Sequence, residues 1–234
     1  MSVNTYSGPM LEFLEARPSF EDSGLPPVPF SARVMPGDCI IVECRDAERA
    51  AMFADMCSGM VSLQSGAIRF MGLDWSELRY RQMNALRGRI GRMVGTQCWS
   101  DRYGAHYSMM LKVIYHTGRS MEEVTDEAIR LSERFGLPGL PVSLPSQMSS
   151  ADKVRASCVR AFIGKPHLVL ISDPLAKGEA DLAAPLISSI VEAMDRGAAV
   201  LWFVRNLSAR TDYSQVKTGL WHLTDEGLSS GRSS

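Results

Sequence analysis

Apolar residues along the chain fall into two patterns: short continuous runs, and longer segments with helical spacing. Leu168–Ile171 is a continuous run with the length and β-branched content of a strand that is buried on both faces. Further strands are predicted at Met10–Leu14 (as an edge strand), Phe30–Val34, Cys39–Glu43, Ser65–Gly72, Ile90–Val94, Ala198–Val204 and Gly219–Leu223.

Helical segments are marked by capping residues as well as by apolar faces. Ser149–Asp152 has the S-x-x-D form of a capping box, and apolar residues from Ala151 to Phe162 then share one helical face. Gly164 ends this helix, and Ser120–Glu123 is a second capping box that opens another helix. More helices are predicted at Tyr107–Tyr115, in a segment that has Ala50, Ala51 and Phe53 on its apolar side and ends near Ser58, and at 180–196. Strands that alternate with helices predict an α/β fold.

Composition excludes several classes of protein. The chain has 234 residues, of which 45% are hydrophobic and 22% charged, and its formal net charge is −1. This predicts a globular protein with one sizeable core and gives no argument for nucleic-acid binding. The chain has no run of 18 apolar residues, so no membrane span is predicted, and its first residues lack a secretory-signal pattern. The five cysteines and four histidines share no metal-ligand or redox spacing, so we expect reduced thiols and no metal site.

The segment Leu144–Pro174 resembles the signature helix and Walker B strand of ATP-binding-cassette (ABC) ATPases. That family has LSGGQ, a helix, a linker with proline, four apolar residues and Asp-Glu-Pro. This chain has MSSAD at 148–152 and Ser-Asp-Pro at 172–174 in the same frame. The resemblance covers about residues 10–228 and is nearest in appearance to the ATPases of Mla/MCE-type lipid transporters.

The resemblance implies the fold of an ABC-type nucleotide-binding domain. Its parts are a RecA-like P-loop core, an antiparallel β subdomain and a helical subdomain at about 96–164. Residues 1–9 and 229–234 are expected to be a flexible N-terminus and a flexible tail.

The segment Cys44–Ala51 stands where the resemblance places the Walker A loop, G-x-x-G-x-G-K-[ST]. Such a loop works because its glycines turn backbone N–H groups toward the phosphates, its lysine neutralises them and its hydroxyl holds Mg²⁺. No glycine is present from Cys44 to Arg49, and Ala50 and Ala51 take the positions of the lysine and the hydroxyl residue. An ordinary strand-to-helix loop is therefore predicted here.

The same segment carries charged side chains of both signs, which would have opposite effects on phosphate binding. Asp46 and Glu48 add negative charge beside the expected phosphate position. One carboxylate at ~4 Å repels a unit negative charge by about 4 kcal/mol at an effective dielectric constant of 20. Arg45 and Arg49 could partly compensate, as flexible side chains rather than a preorganised loop.

Two more nucleotide positions implied by the resemblance lie in the first half of the chain. Phe20 stands where the family has an aromatic residue that stacks on adenine, and a packing role for Phe20 is an equal alternative. Gly95 takes the place of the Q-loop glutamine. Gln97 lies two residues further on and would need a shifted loop to replace it.

The second half of the chain carries the remaining altered positions. Ser172 replaces the Walker B aspartate that holds Mg²⁺, Asp173 takes the place of the catalytic glutamate, and Arg205 takes that of the histidine that senses the γ-phosphate. Asp173 could be the Walker B aspartate in a shifted register, but the following Pro174 argues against it. No catalytic residue is therefore expected.

Ser149 is the one signature residue that the chain keeps. It stands at a predicted helix N-terminus, a position that suits phosphate, and a plain helix cap is the alternative. ABC cassettes pair head to tail, so Ser149 and Ser150 could complete a site whose other residues come from an active paralogue. Asp152, in place of the signature glutamine, counts against this.

The resemblance then implies a non-catalytic, pseudo-ATPase cassette subunit of a membrane ABC transporter, with lipid as a candidate cargo. Its partners would be an integral-membrane permease, contacted through residues 95–120, and an active cassette or a second copy of itself. No cofactor is expected, except ATP and Mg²⁺ shared with a partner cassette. The expected location is cytoplasmic, on the inner face of the plasma membrane. Two alternatives stay open: a functional ABC ATPase with an atypical site, and a free-standing scaffold or regulatory protein.

Overall fold

Ten strands form two sheets in the computed structural model, which describes residues 7–19, 24–93, 99–175, 180–207 and 213–231. The strands are β1 (Leu11–Pro18), β2 (Phe30–Val34), β3 (Cys39–Glu43), β4 (Leu63–Phe70), β5 (Leu73–Asp74), β6 (Ile90–Arg92), β7 (Leu168–Ser172), β8 (Ala199–Val204), β9 (Gly219–Thr224) and β10 (Gly227–Gly231).

The six-stranded sheet has the order β10-β9-β3-β8-β7-β6. Its strands run parallel except β10, which pairs antiparallel with β9. Along β3, Ile40 and Val42 face one hydrophobic cluster while Cys39 and Ile41 face another. This double burial explains why the predicted central strands are continuous apolar runs.

The four-stranded sheet is antiparallel, with the order β2-β1-β4-β5. The prediction that Met10–Leu14 is an edge strand was wrong, because β1 lies between β2 and β4 and pairs with both. Its alternate side chains, among them Leu11 and Phe13, are fully buried in the core.

Six helices are described: α1 (Ala47–Cys57), α2 (Tyr80–Arg87), α3 (Ala105–His116), α4 (Met121–Arg134), α5 (Ser150–Phe162) and α6 (Ala180–Asp195). Helix α1 packs between the two sheets. Its Phe53 ring lies 5.3 Å from that of Phe13, 5.6 Å from Phe30 and 6.3 Å from Phe203. These aromatic contacts fix α1 against both sheets.

Helices α3, α4 and α5 form the helical part of the molecule, around a small apolar cluster that contains Met110, Val113 and Val124. The capping box at Ser120 is confirmed, because its hydroxyl accepts from Glu123 N at 3.2 Å and Glu123 Oε2 accepts from Ser120 N at 2.9 Å. Among the described helices, none is long and apolar enough to cross a membrane.

Strand β10 reaches Gly231, so residues 229–231 of the predicted flexible tail are paired with β9. The strand predicted at Ile90–Val94 is observed from Ile90 to Arg92, and Val94 lies outside the described residues. Four cysteines, Cys39, Cys44, Cys57 and Cys158, are buried free thiols; Cys98 lies outside the described residues.

Candidate functional site

The carboxyl ends of the parallel strands bring the predicted site positions to one edge of the six-stranded sheet. Glu43, at the end of β3, pairs with Val204 at the end of β8, and Ser172, at the end of β7, pairs with Phe203. The segments that begin at Cys44, Asp173 and Arg205 therefore leave the sheet side by side. This is the edge at which open α/β sheets bind their ligands.

The connection from β3 to α1 is short. Helix α1 begins at Ala47, so five residues of the predicted loop, 47–51, are helical, and only Cys44–Asp46 connects strand and helix. The helix was predicted with Ala50 and Ala51 on its apolar side, and it is observed to begin three residues before Ala50. Asp46 is a strong helix N-cap residue, and it starts the helix before a phosphate-sized loop can form.

Asp46 itself occupies the N-terminus of α1. Its Oδ1 accepts from the backbone N–H of Glu48 at 2.9 Å and of Arg49 at 3.2 Å. Free N–H groups at a helix N-terminus are what make it a seat for an anion. Here the Asp46 carboxylate already accepts from two of these N–H groups, so they are not available to an anion.

The residues around this cap are not arranged toward a common ligand. Arg45 is exposed, whereas Arg49 is half-buried. Ala50 and Ala51 lie within the first turns of α1, and the Ala51 carbonyl accepts from Arg92 Nη2 of β6 at 3.2 Å. Arg92 also pairs with Asp55, so this cation is already engaged with α1.

Asp173 follows directly after β7 and is hydrogen-bonded to β8 and to Arg205, the residue after β8. Its backbone has a φ of +26°, its N–H donates to Phe203 O at 2.9 Å, and its Oδ2 accepts from Arg205 N at 3.3 Å. Burial raises the pKa of Asp173, and the hydrogen bond and positive charge of Arg205 oppose that rise. Ser172, by contrast, is exposed.

A carboxylate–imidazole pair lies at the same edge, and the sequence analysis did not single it out. Glu43 Oε2 lies 2.9 Å from His222 Nδ1 on β9, and Glu43 Oε1 accepts from Leu207 N at 3.0 Å. The pair joins the end of β3 to β9 and to the segment after β8. Glu43 ends one predicted strand and His222 lies within another, Gly219–Leu223, but their adjacency in the sheet depends on a strand order that a single sequence does not reveal.

Ser149 is the N-cap residue of α5. Its hydroxyl accepts from Asp152 N at 3.0 Å and donates to Asp152 Oδ2 at 2.8 Å. Arg155 in turn lies 3.5 Å from Asp152 Oδ1 and 2.6 Å from Asp181 Oδ2 of α6. The donor capacity of the Ser149 hydroxyl is thus used within its own helix.

Two predicted positions, Phe20 and Gly95, lie outside the described residues, as does Gln97. Within the described residues, no group of three His, Cys, Asp or Glu side chains is placed to hold a metal ion.

Comparison with known proteins identifies the fold. No family model matches the chain. The phosphonates import ATP-binding protein PhnC 2 of Synechococcus sp. (strain JA-2-3B'a(2-13)) is 24% identical over 169 residues, which cover 69% of this chain and 63% of that protein. The lipoprotein-releasing system ATP-binding protein LolD of Legionella pneumophila (strain Paris) is 21% identical over 180 residues, 75% of this chain and 79% of that protein.

A solved structure extends this likeness over the whole fold. The dimeric ATP-binding cassette MJ0796, in a post-hydrolysis state bound to ADP and Pi, superposes with a TM-score of 0.77 at 14% identity. The superposition covers 96% of this chain and 100% of that one. The chain has the ABC ATPase fold and is similar in sequence to ATP-binding proteins of ABC transporters. The predicted resemblance to ABC ATPases and the predicted fold class are thereby confirmed, although the chain spans less than two thirds of the length of PhnC 2.

The residues present do not fit ATP and Mg²⁺, the ligands that an ABC fold implies. The helix end that would meet the phosphates carries the Asp46 carboxylate, and the lysine and hydroxyl positions hold Ala50 and Ala51. A second negative charge, Asp152, lies at the start of the signature helix and holds the Ser149 hydroxyl. Each carboxylate would repel a phosphate at close range.

Proposed function

We propose that this chain is a non-catalytic subunit of an ABC transporter, a cassette that keeps the fold without the nucleotide chemistry. The observation that carries the proposal is the Asp46 cap, which takes the N–H groups that an ABC phosphate loop offers to ATP. Loss of the lysine and of both Mg²⁺ ligands, at Ala50, Ala51 and Ser172, points the same way.

The proposed partner is a permease, held by an apolar stripe on α3. Tyr107, Leu111 and Tyr115 recur every four residues on the helix side opposite its buried face, and the ring of Tyr103, just before the helix, lies 5.0 Å from that of Tyr107. Tyr103 is 52% exposed, Leu111 45% and Tyr115 73%. Exposed aromatic residues at helical spacing are typical of a surface that a partner covers. The stripe lies within residues 95–120, where the permease was predicted to bind.

A second cassette is the other proposed partner, either an active paralogue or a second copy of this chain. MJ0796 is described as dimeric, which supports pairing. Since Ser149 is bonded to Asp152, pairing would serve the architecture or regulation of the transporter more than a shared ATP site. Lipid remains the proposed cargo, supported only by the lipoprotein-releasing role in the name of LolD. The proposed location is the cytoplasmic side of the inner membrane.

Membrane retention in the native host tests the permease contact. The variant Leu111→Asp with Tyr115→Asp places charges on the stripe, and it should leave the membrane fraction while its far-UV spectrum stays unchanged. The matched control is Leu73→Asp, which changes an equally exposed apolar residue (48%) in the antiparallel sheet and should stay with the membrane. Equal retention of both variants would contradict the docking surface.

Hydrolysis tests the non-catalytic role separately. The purified chain should release no phosphate from ATP–Mg²⁺ above the blank. Release that disappears in Asp173→Asn would instead establish a working ATPase with an atypical site.

A further inference from the structure

A cavity of about 620 Å³ lies where α4, the end of α5 and the second half of α6 meet. Its charged lining consists of five basic and two acidic side chains: Arg119, Arg130, Arg134, Lys165, Arg196, Glu127 and Glu192. We call this cavity the basic groove. Its volume falls within the range of small-ligand sites, and its lining has an excess of three positive charges.

Both acidic side chains of the groove are already engaged. Glu127 forms an ion pair with Arg119, and its Oε1 accepts from Gly164 N at 3.0 Å. Glu192 Oε2 lies 2.8 Å from Arg134 Nη1. The excess positive charge is therefore not neutralised by these carboxylates.

Two cations of the groove have no partner. Among the described residues, neither the Arg130 nor the Lys165 side chain has a hydrogen bond or an ion pair, and both residues are exposed. Arg130 lies on α4, and Lys165 lies just after α5, so they reach the groove from separate elements.

The backbone at Lys165 is in an unfavourable conformation for its side chain. Its φ is +53°, and it follows Gly164 at +78°. Left-handed backbone suits glycine and disfavours a residue with a Cβ such as lysine. The described residues supply no partner for its ammonium group, so a lysine in this conformation suggests a role for that group in binding a ligand.

Helix-end electrostatics accounts for only part of this charge. Basic residues stabilise helix C-termini, and Arg134 lies in the last turn of α4 while Arg196 donates to Glu192 O at 2.8 Å. Arg130 lies a turn before the end of α4. The Lys165 ammonium group donates to no carbonyl in the described residues, and only the backbone N–H of Lys165 does so, to Phe162 O at 3.3 Å. These two side chains are free to meet a ligand.

We propose that the basic groove binds a multiply charged, phosphate-bearing anion. Guanidinium groups bind phosphate through paired N–H donors, and lysine adds a mobile point charge. The phosphate could belong to a soluble metabolite or to a lipid headgroup, which share this chemistry. The groove lies at the opposite end of α5 from Ser149, about 20 Å away at the rise of an α-helix, so the proposal does not depend on the ABC nucleotide positions.

Calorimetric titration of the full chain with inorganic pyrophosphate, at 20 mM and 150 mM KCl, is the first test. Saturable binding that weakens with salt is expected. Arg130→Gln and Lys165→Gln should each weaken it about fivefold to tenfold, and the double variant about thirtyfold or more. The matched control is Arg81→Gln, an exposed arginine on α2, which loses the same charge and should bind as the wild type does.

Lys165→Gly separates binding from folding. Glycine relieves the left-handed backbone, so the melting temperature should hold or rise while pyrophosphate affinity falls. No heat with 10 mM pyrophosphate, and no sedimentation with vesicles, would overturn the proposal. An equal loss in Arg81→Gln would overturn it as well, since binding would then reflect net charge alone.

A vesicle arm identifies the source of the phosphate. Vesicles of phosphatidylcholine with phosphatidylglycerol, and of phosphatidylcholine alone, are sedimented with the chain. Sedimentation that needs phosphatidylglycerol and is lost in the double variant assigns the groove to a lipid headgroup. Pyrophosphate binding without sedimentation assigns it to a soluble anion.

Discussion

Removing the Asp46 carboxylate tests whether it closes the N-terminus of α1. In Asp46→Ala, the N–H groups of Glu48 and Arg49 lose their acceptor, at 2.9 and 3.2 Å in the wild type. Asp46 is exposed, so water replaces the acceptor and no buried group is orphaned. The expected cost is therefore that of an N-cap, about 1 kcal/mol and within about 0.5–2 kcal/mol.

Urea unfolding followed by circular dichroism measures this cost. In thermal unfolding followed by the same signal, a loss of about 1 kcal/mol should lower the melting temperature by about 2–4 °C in a domain of this size. Asp46→Asn is the matched variant, because its amide oxygen keeps the acceptor and removes the charge, and its stability should stay within a few tenths of a kcal/mol.

Equal stability of Asp46→Ala and the wild type would refute the reasoning. It would mean that the carboxylate does not hold these N–H groups, and that the helix end is open to an anion. Neither variant should gain ATP binding, because Ala50 and Ala51 still lack the ammonium and hydroxyl groups that the phosphates and Mg²⁺ require.

Three further predictions concern single side chains. Ser149→Ala should lower the free energy of unfolding by about 1 kcal/mol through loss of the α5 cap, whereas Ser149→Asn should not; equal urea midpoints would contradict the cap. Burial raises the pKa of Asp173 above 3.8, so the folded chain holds this proton more tightly and stability falls as pH rises from 3.8 through the raised value. Asp173→Asn should remove that fall in urea titrations across pH, and an unchanged slope would argue against burial as its cause. Burial lowers the pKa of Lys112 from 10.5 to about 8, so the unfolded chain binds more protons between these values and stability rises with pH there. Lys112→Met should abolish that rise between pH 8 and 10.5, and its persistence would assign it to another group.

The sequence predicted the central sheet well because its strands are local signals. Leu168–Ile171 and Ala198–Val204 are continuous apolar runs, and both are observed as strands buried on two faces. The capping box at Ser120 and the N-cap at Ser149 also marked two helix starts, since a cap is decided within four residues. At Ser149 the Asp152 carboxylate bonds to the hydroxyl and not to the backbone N–H, so the predicted box is only half formed.

Predictions failed where distant partners decide the structure. The edge assignment of Met10–Leu14 was wrong because β1 also pairs with β4, about fifty residues further along the chain. The Glu43–His222 pair joins residues 179 positions apart and rests on the strand order. Helix α1 starts at Ala47, three residues before the first predicted helical residue, Ala50. Asp46 is a typical N-cap residue, so the sequence could have shown this start.

The chemistry of the site could be predicted only as far as side-chain identity goes. Absence of glycine from Cys44 to Arg49 already indicated that no phosphate loop forms. Two contacts could not be predicted without the structure. The Asp46 carboxylate accepts from the N–H groups of α1, and the Asp152 carboxylate accepts from the Ser149 hydroxyl.

Calorimetric titration of the purified chain with ATP–Mg²⁺, alone and then with a co-purified cassette, tests the central claim most directly. No heat from the isolated chain at millimolar nucleotide is the predicted result. Tight binding by the isolated chain would contradict the account, and it would direct attention to Arg45 and Arg49 as the phosphate contacts.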